Sequence, residues 1–272
     1  MPPLSADDVR HFQEDGHLSP IDALSPAEAL RLREQLEDFE ERHGPIVKNY
    51  SVKAHMVLPW LNDLVRDPRI LDAVESIIGP NIFVWGASFF IKEARDPGFV
   101  TWHQDAKYVG LEPPHTVTAW IAFTPSNETN GALRVIPGTH RELLPHADSF
   151  HEHNLLSRGQ EITVEVDADR AVMMPLEPGQ FSVHDARLVH GSDPNMSGDR
   201  RIGYVVRYIP TYMKQTLGER DTALLVRGVD EYGHFEHEPS PATELDPETV
   251  AYRAALMGDL NKMLFKDANK PS

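Results

Sequence analysis

Apolar positions fall at helical spacing in three stretches of the first eighty residues and then give way to short β-rich runs. Residues 5–16 predict a short amphipathic helix: Ser5 can cap it, Val9 and Phe12 share a face, and Gly16 stops it. Ser25-Pro26-Ala27-Glu28, with proline at the first helical position, predicts a second helix running through RLREQLEDFEERH to Gly44. A third covers 68–78 (PRILDAVESII) and stops at Gly79-Pro80. From Ile82 to Tyr208 come IFVWGASFFI, VTAWIAF, ALRVIP, AVMMPL, FSVHD and RIGYVVRYI, separated by Pro, Gly and Asn. Many short strands with such punctuation predict a sandwich or barrel. Residues 213–245 are polar without periodicity and read as a long loop, and 246–266 predict a closing helix. No repeat, low-complexity tract or linker interrupts the chain. Residues 1–272 therefore read as one domain: N-terminal helices (5–80), a β core (82–210), then a loop and C-terminal helix (211–272).

Charge narrows the partners. Asp and Glu number 42 against 26 Lys and Arg, a formal net charge of −16. That sign repels phosphate backbones and anionic lipid, so a small-molecule substrate is expected, with no nucleic acid and no membrane. No run approaches 18 apolar residues and the N-terminus is acidic, so neither a membrane span nor a signal peptide is expected and the cytoplasm is the expected location. The chain has no cysteine, which excludes disulfides, thiolate nucleophiles and iron–sulfur clusters. Any metal must be held by His, Asp or Glu.

The segment Val100-Thr-Trp-His-Gln-Asp105 is the most informative. On a strand, His103 and Asp105 project to the same face and can offer two ligands to one metal. A third must come from elsewhere, and FSVHDARLVHG supplies two candidates, His184 and His190. Two His and a carboxylate on one face of an octahedral metal leave three positions open, the arrangement of non-haem Fe(II) oxygenases. His190 is followed by the turn Gly191-Ser192-Asp193-Pro194-Asn195, which favours it over His184. Further on, Arg201, Gly203, Val205 and Arg207 share one strand face. A guanidinium pointing into an apolar barrel needs an anion, either a dicarboxylate ligand or a structural acid.

WHQD, TAWIAF, NETNGALRVIPGTH and HGSDPN followed by RRIGYVVRY, in that order, resemble the phytanoyl-CoA dioxygenase family over residues 5–210. The resemblance implies a mainly β fold with flanking helices around a double-stranded β-helix, a jelly-roll or cupin-like core. It implies an Fe(II)- and 2-oxoglutarate-dependent oxygenase consuming O2, with ascorbate helpful in vitro. By position it makes His103, Asp105 and His190 the iron ligands. Arg201, Ser192, Trp120 and Lys53 would hold 2-oxoglutarate. Related halogenases carry a small residue in place of the carboxylate, so Asp105 implies hydroxylation.

For the substrate, Arg207, Gln104, Lys107 and Tyr108 are the expected contacts, suited to one anionic head group. Among bacterial members the chain is similar to those that hydroxylate the α-carbon of 2-aminoethylphosphonate to 2-amino-1-hydroxyethylphosphonate, which makes that the expected reaction. An amino acid, betaine or acyl thioester is the alternative, as is a cupin-like metal-dependent hydrolase or isomerase, or a silent binding protein. His140 reads as structural, Asp185 and Arg187 as a local ion pair, and the tracts 48–55 and around His234 and His237 as solvated loop. Residues 45–58 and 106–116 are the expected lids.

Overall fold

The Asp8 N–H donates to the Ser5 hydroxyl while the Ser5 N–H donates to the Asp8 carboxylate, and this capping box starts α1 (Ala6–Asp15). Gly16 ends it at φ 83°, where a side chain would also strike His140. A computed structural model describes residues 4–107, 109–217 and 221–264, with 259–264 by backbone alone. Ser25 and Glu28 form the same box at the start of α2 (Pro26–His43). Two short helices not anticipated from the sequence follow, α3 (Ile46–Asn49) and α4 (Pro59–Leu64), then α5 (Pro68–Ile78) and finally α6 (Pro247–Leu264).

The strands are β1 (His17–Asp22), β2 (Ile82–Lys92), β3 (Val100–His103), β4 (Leu111–Glu112), β5 (Val117–Ala122), β6 (Leu133–Val135), β7 (His146–Asp148) and β8 (Gln160–Ile162). They continue with β9 (Val172–Met174), β10 (Gln180–Asp185), β11 (His190–Ser192), β12 (Arg201–Pro210), β13 (Lys214–Gln215), β14 (Thr222–Arg227) and β15 (Glu236–His237). The larger sheet runs β1-β10-β5-β12-β2-β14-β15 and the smaller β3-β11-β6-β9. Within both sheets pairing is antiparallel, apart from β14–β15. The two sheets enclose a cavity to which both contribute side chains, a jelly-roll core.

Four strands lie outside the expected 82–210 core, the two-residue β13 and β15 and the longer β1 and β14. HLSPID forms the edge strand β1, where Pro20 costs no ladder bond. TALLVR, inside the stretch expected to be loop, forms β14 against β2.

Alternation along the central strands separates stability from chemistry. Val117, Ala119 and Ile121 of β5, with Ile202, Tyr204, Val206 and Tyr208 of β12, pack with Leu36 and Phe39 of α2, Leu61 of α4 and Val74 of α5. Each fully buried large apolar side chain there contributes roughly 1.5–3 kcal/mol, and Tyr208 also donates its hydroxyl to the Val65 carbonyl at 3.0 Å. The residues between them, Thr118, Trp120, Arg201, Val205 and Arg207, line the inner cavity.

Segment 45–58 is a wall secured to β2, since the Lys53 N–H donates to Ala87 O at 2.7 Å and the Phe89 N–H to Ser51 O at 3.0 Å. Among the described residues no helix is long and apolar enough to cross a membrane.

Candidate metal centre and its two cavities

β3 and β11 pair with His103 directly opposite His190. The backbone leaves the strand at once, so Asp105 opens a single 3-10 turn and does not share the strand with His103 as the spacing suggested. The turn still returns the carboxylate: Asp105 Oδ1 lies 3.5 Å from His103 Nε2. One donor atom from each of His103, Asp105 and His190 lies within 4.8 Å of the others, the one such cluster among the described residues. The His103 Nδ1 lies 3.0 Å from Thr101 O and 3.1 Å from His190 O, and the His190 Nδ1 lies 2.9 Å from Leu188 O. Donation from each Nδ1 to a carbonyl leaves the Nε2 lone pairs for a metal.

Electrostatics suit a cation. Burial, with His103 and His184 nearby, pushes the His190 pKa well below its ordinary value, so the ring is neutral. Burial would raise Asp105, but Arg207 and the two imidazoles hold its carboxyl well below the usual range. Arg207 Nε lies 3.3 Å from Asp105 Oδ2 and Nη2 3.4 Å from Oδ1. Two imidazoles and one carboxylate form the donor set of a divalent 3d metal with open positions. His184 lies tilted against His190 with ring centroids 4.6 Å apart, outside the cluster, and burial pushes its pKa down to about 4.

Beyond the cluster, a narrow cavity of about 40 Å³ reaches Trp120, Ser192 and Arg201. Arg201 is 2% exposed. Its Nη1 donates to Gly131 O, its guanidinium lies 5.2 Å from the Trp120 ring centroid, and its Nε has no partner among the described residues. Burial lowers its pKa to about 10. Lys92, which sequence reasoning missed, faces Arg201 across the β2–β12 pairing. It is fully buried, and its Nζ donates to Ser192 Oγ at 2.8 Å and to Asp193 O. Burial and the neighbouring Arg201 lower its pKa to about 7. Neither cation forms an ion pair among the described residues. A buried cation left without an anion costs several kcal/mol, so this pocket suits a carboxylate.

On the other side lies a cavity of about 450 Å³, lined by His103, Asp105, Lys53, Arg207, Asp221 and mainly apolar side chains. Several expected contacts fall elsewhere. Lys53 lines this larger cavity and not the narrow one, because its ammonium is drawn to Glu238 and to Thr222 O at 3.1 Å. Gln104 lines neither cavity: it is fully buried behind the site, where its Nε2 donates to Glu142 O and its Oε1 accepts from the Leu144 N–H, both at 2.8 Å. Lys107 is exposed and lines neither cavity. Tyr108 lies outside the described residues.

The tract 48–55 is likewise not all solvated. His55 Nε2 lies 2.9 Å from Glu238 Oε2, and Lys53, His55 and Glu238 are all buried. Glu238 comes from the stretch read as loop, so no local pattern linked it to Lys53. Lys92 stands two residues after the cavity-lining Phe90 on the same strand face, and it is the structure that identifies that face as the inner one. His140 sits in a structural turn against Gln13 O at 3.2 Å, and Asp185 pairs with Arg187 at 3.2 Å.

Comparison with known proteins places this architecture. An ectoine dioxygenase of Bordetella bronchiseptica is 25% identical over 224 residues, covering 71% of each chain. The solved structure of the non-heme monooxygenase ThoJ in its apo form superposes with a TM-score of 0.83 at 32% identity, covering 95% of this chain and 97% of that one. The structure of CytC3 with Fe(II) and alpha-ketoglutarate superposes with a TM-score of 0.66 at 26% identity over 90% and 96% of the two chains. The family model "Phytanoyl-CoA dioxygenase (PhyH)" matches residues 12–203, a span holding the His103–Asp105–His190 cluster, Lys92 and Arg201. On that match, with its jelly-roll core and His–Asp–His cluster, the chain belongs to the phytanoyl-CoA dioxygenase family.

Proposed function

We propose that this protein is an Fe(II)- and 2-oxoglutarate-dependent hydroxylase of a small molecule. The observation that carries the reading is the juxtaposition, along one narrow cavity, of the His103–Asp105–His190 cluster and the buried Arg201, which forms no ion pair among the described residues. His103, Asp105 and His190 would hold iron, and Arg201 would hold the distal carboxylate of 2-oxoglutarate. Together, when bound, iron and 2-oxoglutarate supply the activation of O2 and the oxidation of a C–H bond.

The chain's own part is positioning and exclusion of water. Charged by a bound dicarboxylate, Lys92 has no acceptor capacity, so Ser192 Oγ would accept from it and turn its own O–H toward the cavity, where a carboxylate would take it. Trp120 covers the Arg201 guanidinium and keeps it dry. Arg207 orients Asp105, and Thr118 Oγ1 stands 3.5 Å from the same carboxylate. Because residue 105 is a carboxylate, the expected outcome is hydroxylation.

For the substrate, the larger cavity supports a molecule with an apolar body over 2-aminoethylphosphonate. A phosphonate needs a free cation, whereas Lys53 faces Glu238 and Arg207 faces Asp105. The test is succinate formation from 2-oxoglutarate with Fe(II), ascorbate and O2 across 2-aminoethylphosphonate, amino acids, betaines, acyl thioesters and apolar amines. Anaerobic titration of the Fe(II) protein with 2-oxoglutarate accompanies it. A metal-to-ligand charge-transfer band that Arg201→Ala weakens is expected. No band at saturating 2-oxoglutarate would refute the oxygenase reading and favour a hydrolase or isomerase.

A further inference from the structure

We propose that Asp221 recognises an ammonium group, and that the substrate is an apolar amine lying between Asp221 and the His103–Asp105 end of the larger cavity. The inference rests on the oxygenase reading and names the substrate class of that site.

Charge in the cavity wall is almost fully matched. Of its charged residues, Lys53 faces Glu238 and Arg207 faces Asp105. Asp221 differs. Its Oδ2 accepts from Trp85 Nε1 at 2.6 Å and Gln215 Nε2 at 3.0 Å, and its Oδ1 accepts from the Thr222 N–H at 2.8 Å. All three donors are neutral, and among the described residues no Lys, Arg or His pairs with it. They fix the carboxylate's direction without cancelling its charge. A carboxylate has about four lone-pair sites, so capacity for a further donor remains.

The surroundings complete the case. Trp85 lines the same cavity beside Asp221, and an indole next to a carboxylate attracts an ammonium by its ring quadrupole as well as by charge. Val47, Val52, Phe90, Leu156, Leu256 and Met257 supply apolar walls, and about 450 Å³ falls within the range of small-molecule pockets. A net charge of −16 draws cations toward the protein and works against anions.

The experiment uses three probes with one apolar body: 4-phenylbutylamine, 4-phenylbutan-1-ol and 4-phenylbutanoate. Each is titrated calorimetrically, without O2, into the full chain loaded with Fe(II) and 2-oxoglutarate. The amine is expected to bind at least about tenfold more tightly than either partner, a difference of about 1.4 kcal/mol. Asp221→Asn should abolish that preference, and Asp169→Asn, at an exposed acid outside both cavities, should keep it. Equal or tighter binding of the alcohol or carboxylate, no amine binding at millimolar concentration, or a preference that survives Asp221→Asn would overturn the proposal. The wild-type comparison decides by itself if Asp221→Asn does not fold. The charge-transfer titration with 2-oxoglutarate, done before any probe is added, reports separately on the oxygenase reading. If it fails, the probes are run on the unloaded chain.

Discussion

Gly203 sits in β12 with an ordinary extended backbone, so its lack of a side chain is a matter of space alone. A Cβ there would stand 2.0 Å from Cζ2 of Trp120, 2.4 Å from Cε2 and 2.6 Å from Cη2. Ordinary contact begins at 3.4 Å, so the indole must move by roughly 1.4 Å (3.4 minus 2.0) in Gly203→Ala. The ring is 4% exposed and packed over the Arg201 guanidinium, so it cannot swing into solvent. Overpacking of this kind costs about 1–3 kcal/mol. It also disturbs a wall of the 40 Å³ cavity, and a comparable loss there weakens 2-oxoglutarate by about tenfold or more. The assay is urea denaturation of the metal-free chain together with anaerobic titration of the Fe(II) protein with 2-oxoglutarate. Trp120→Leu combined with Gly203→Ala should recover stability, a coupling expected only of touching residues. A stability change below about 0.5 kcal/mol together with unaltered 2-oxoglutarate affinity would refute the packing argument.

Other positions give distinct expectations. The Lys92 pKa falls from 10.5 in the unfolded chain to about 7, so unfolded protein holds the extra proton between those values and stability rises with pH across that window. A bound dicarboxylate restores the charge, so 2-oxoglutarate binding at pH 8 should take up a proton, seen by calorimetry in two buffers, and Lys92→Met should remove the uptake. Glu238→Gln leaves the buried Lys53 ammonium without a counterion and should cost about 3–5 kcal/mol in urea denaturation. Burial would raise the Glu238 pKa, but Lys53 and His55 hold it at about 2 against 4.5 unfolded. Its contribution is therefore complete above pH 4.5 and disappears as pH falls through 2, which an acid-unfolding series of wild type and Glu238→Gln resolves. Arg207→Met should weaken Fe(II) binding by roughly 10- to 100-fold through a misoriented Asp105. A raised KM for a phosphonate with unchanged Fe(II) affinity would instead put Arg207 at the substrate.

The four long helices were legible because their ends carry local chemistry: Ser5 with Asp8, Ser25 with Glu28, and Pro68 in the first turn. His103, Asp105, His190 and Arg201 stood in local motifs within strands of clear periodicity. What escaped depends on pairing across the sheet. Nothing near Lys92 says that Arg201 lies opposite it, and a lysine closing an apolar strand reads as a solvated end. Lys53 was assigned to the wrong cavity because its partner, Glu238, lies 185 residues away. Gln104 neighbours both candidate ligands in sequence, yet its amide is held behind them by the backbone of Glu142 and Leu144, some 40 residues away. The strands β1 and β14 were missed because six mixed residues carry too weak a periodicity to outweigh flanking polar segments.

The family match stops at residue 203, while Arg207, Asp221, Leu256 and Met257 of the larger cavity lie beyond it. The stretch that matches the family therefore holds the proposed iron and co-substrate residues and most of the cavity wall, while the carboxylate proposed to choose the substrate, Asp221, stands outside it. Two members that share those motifs can still differ at Asp221, Leu256 or Met257 and so in the head group they admit. An exchange of residues 211–264 between such members is accordingly expected to transfer substrate preference and leave 2-oxoglutarate affinity behind.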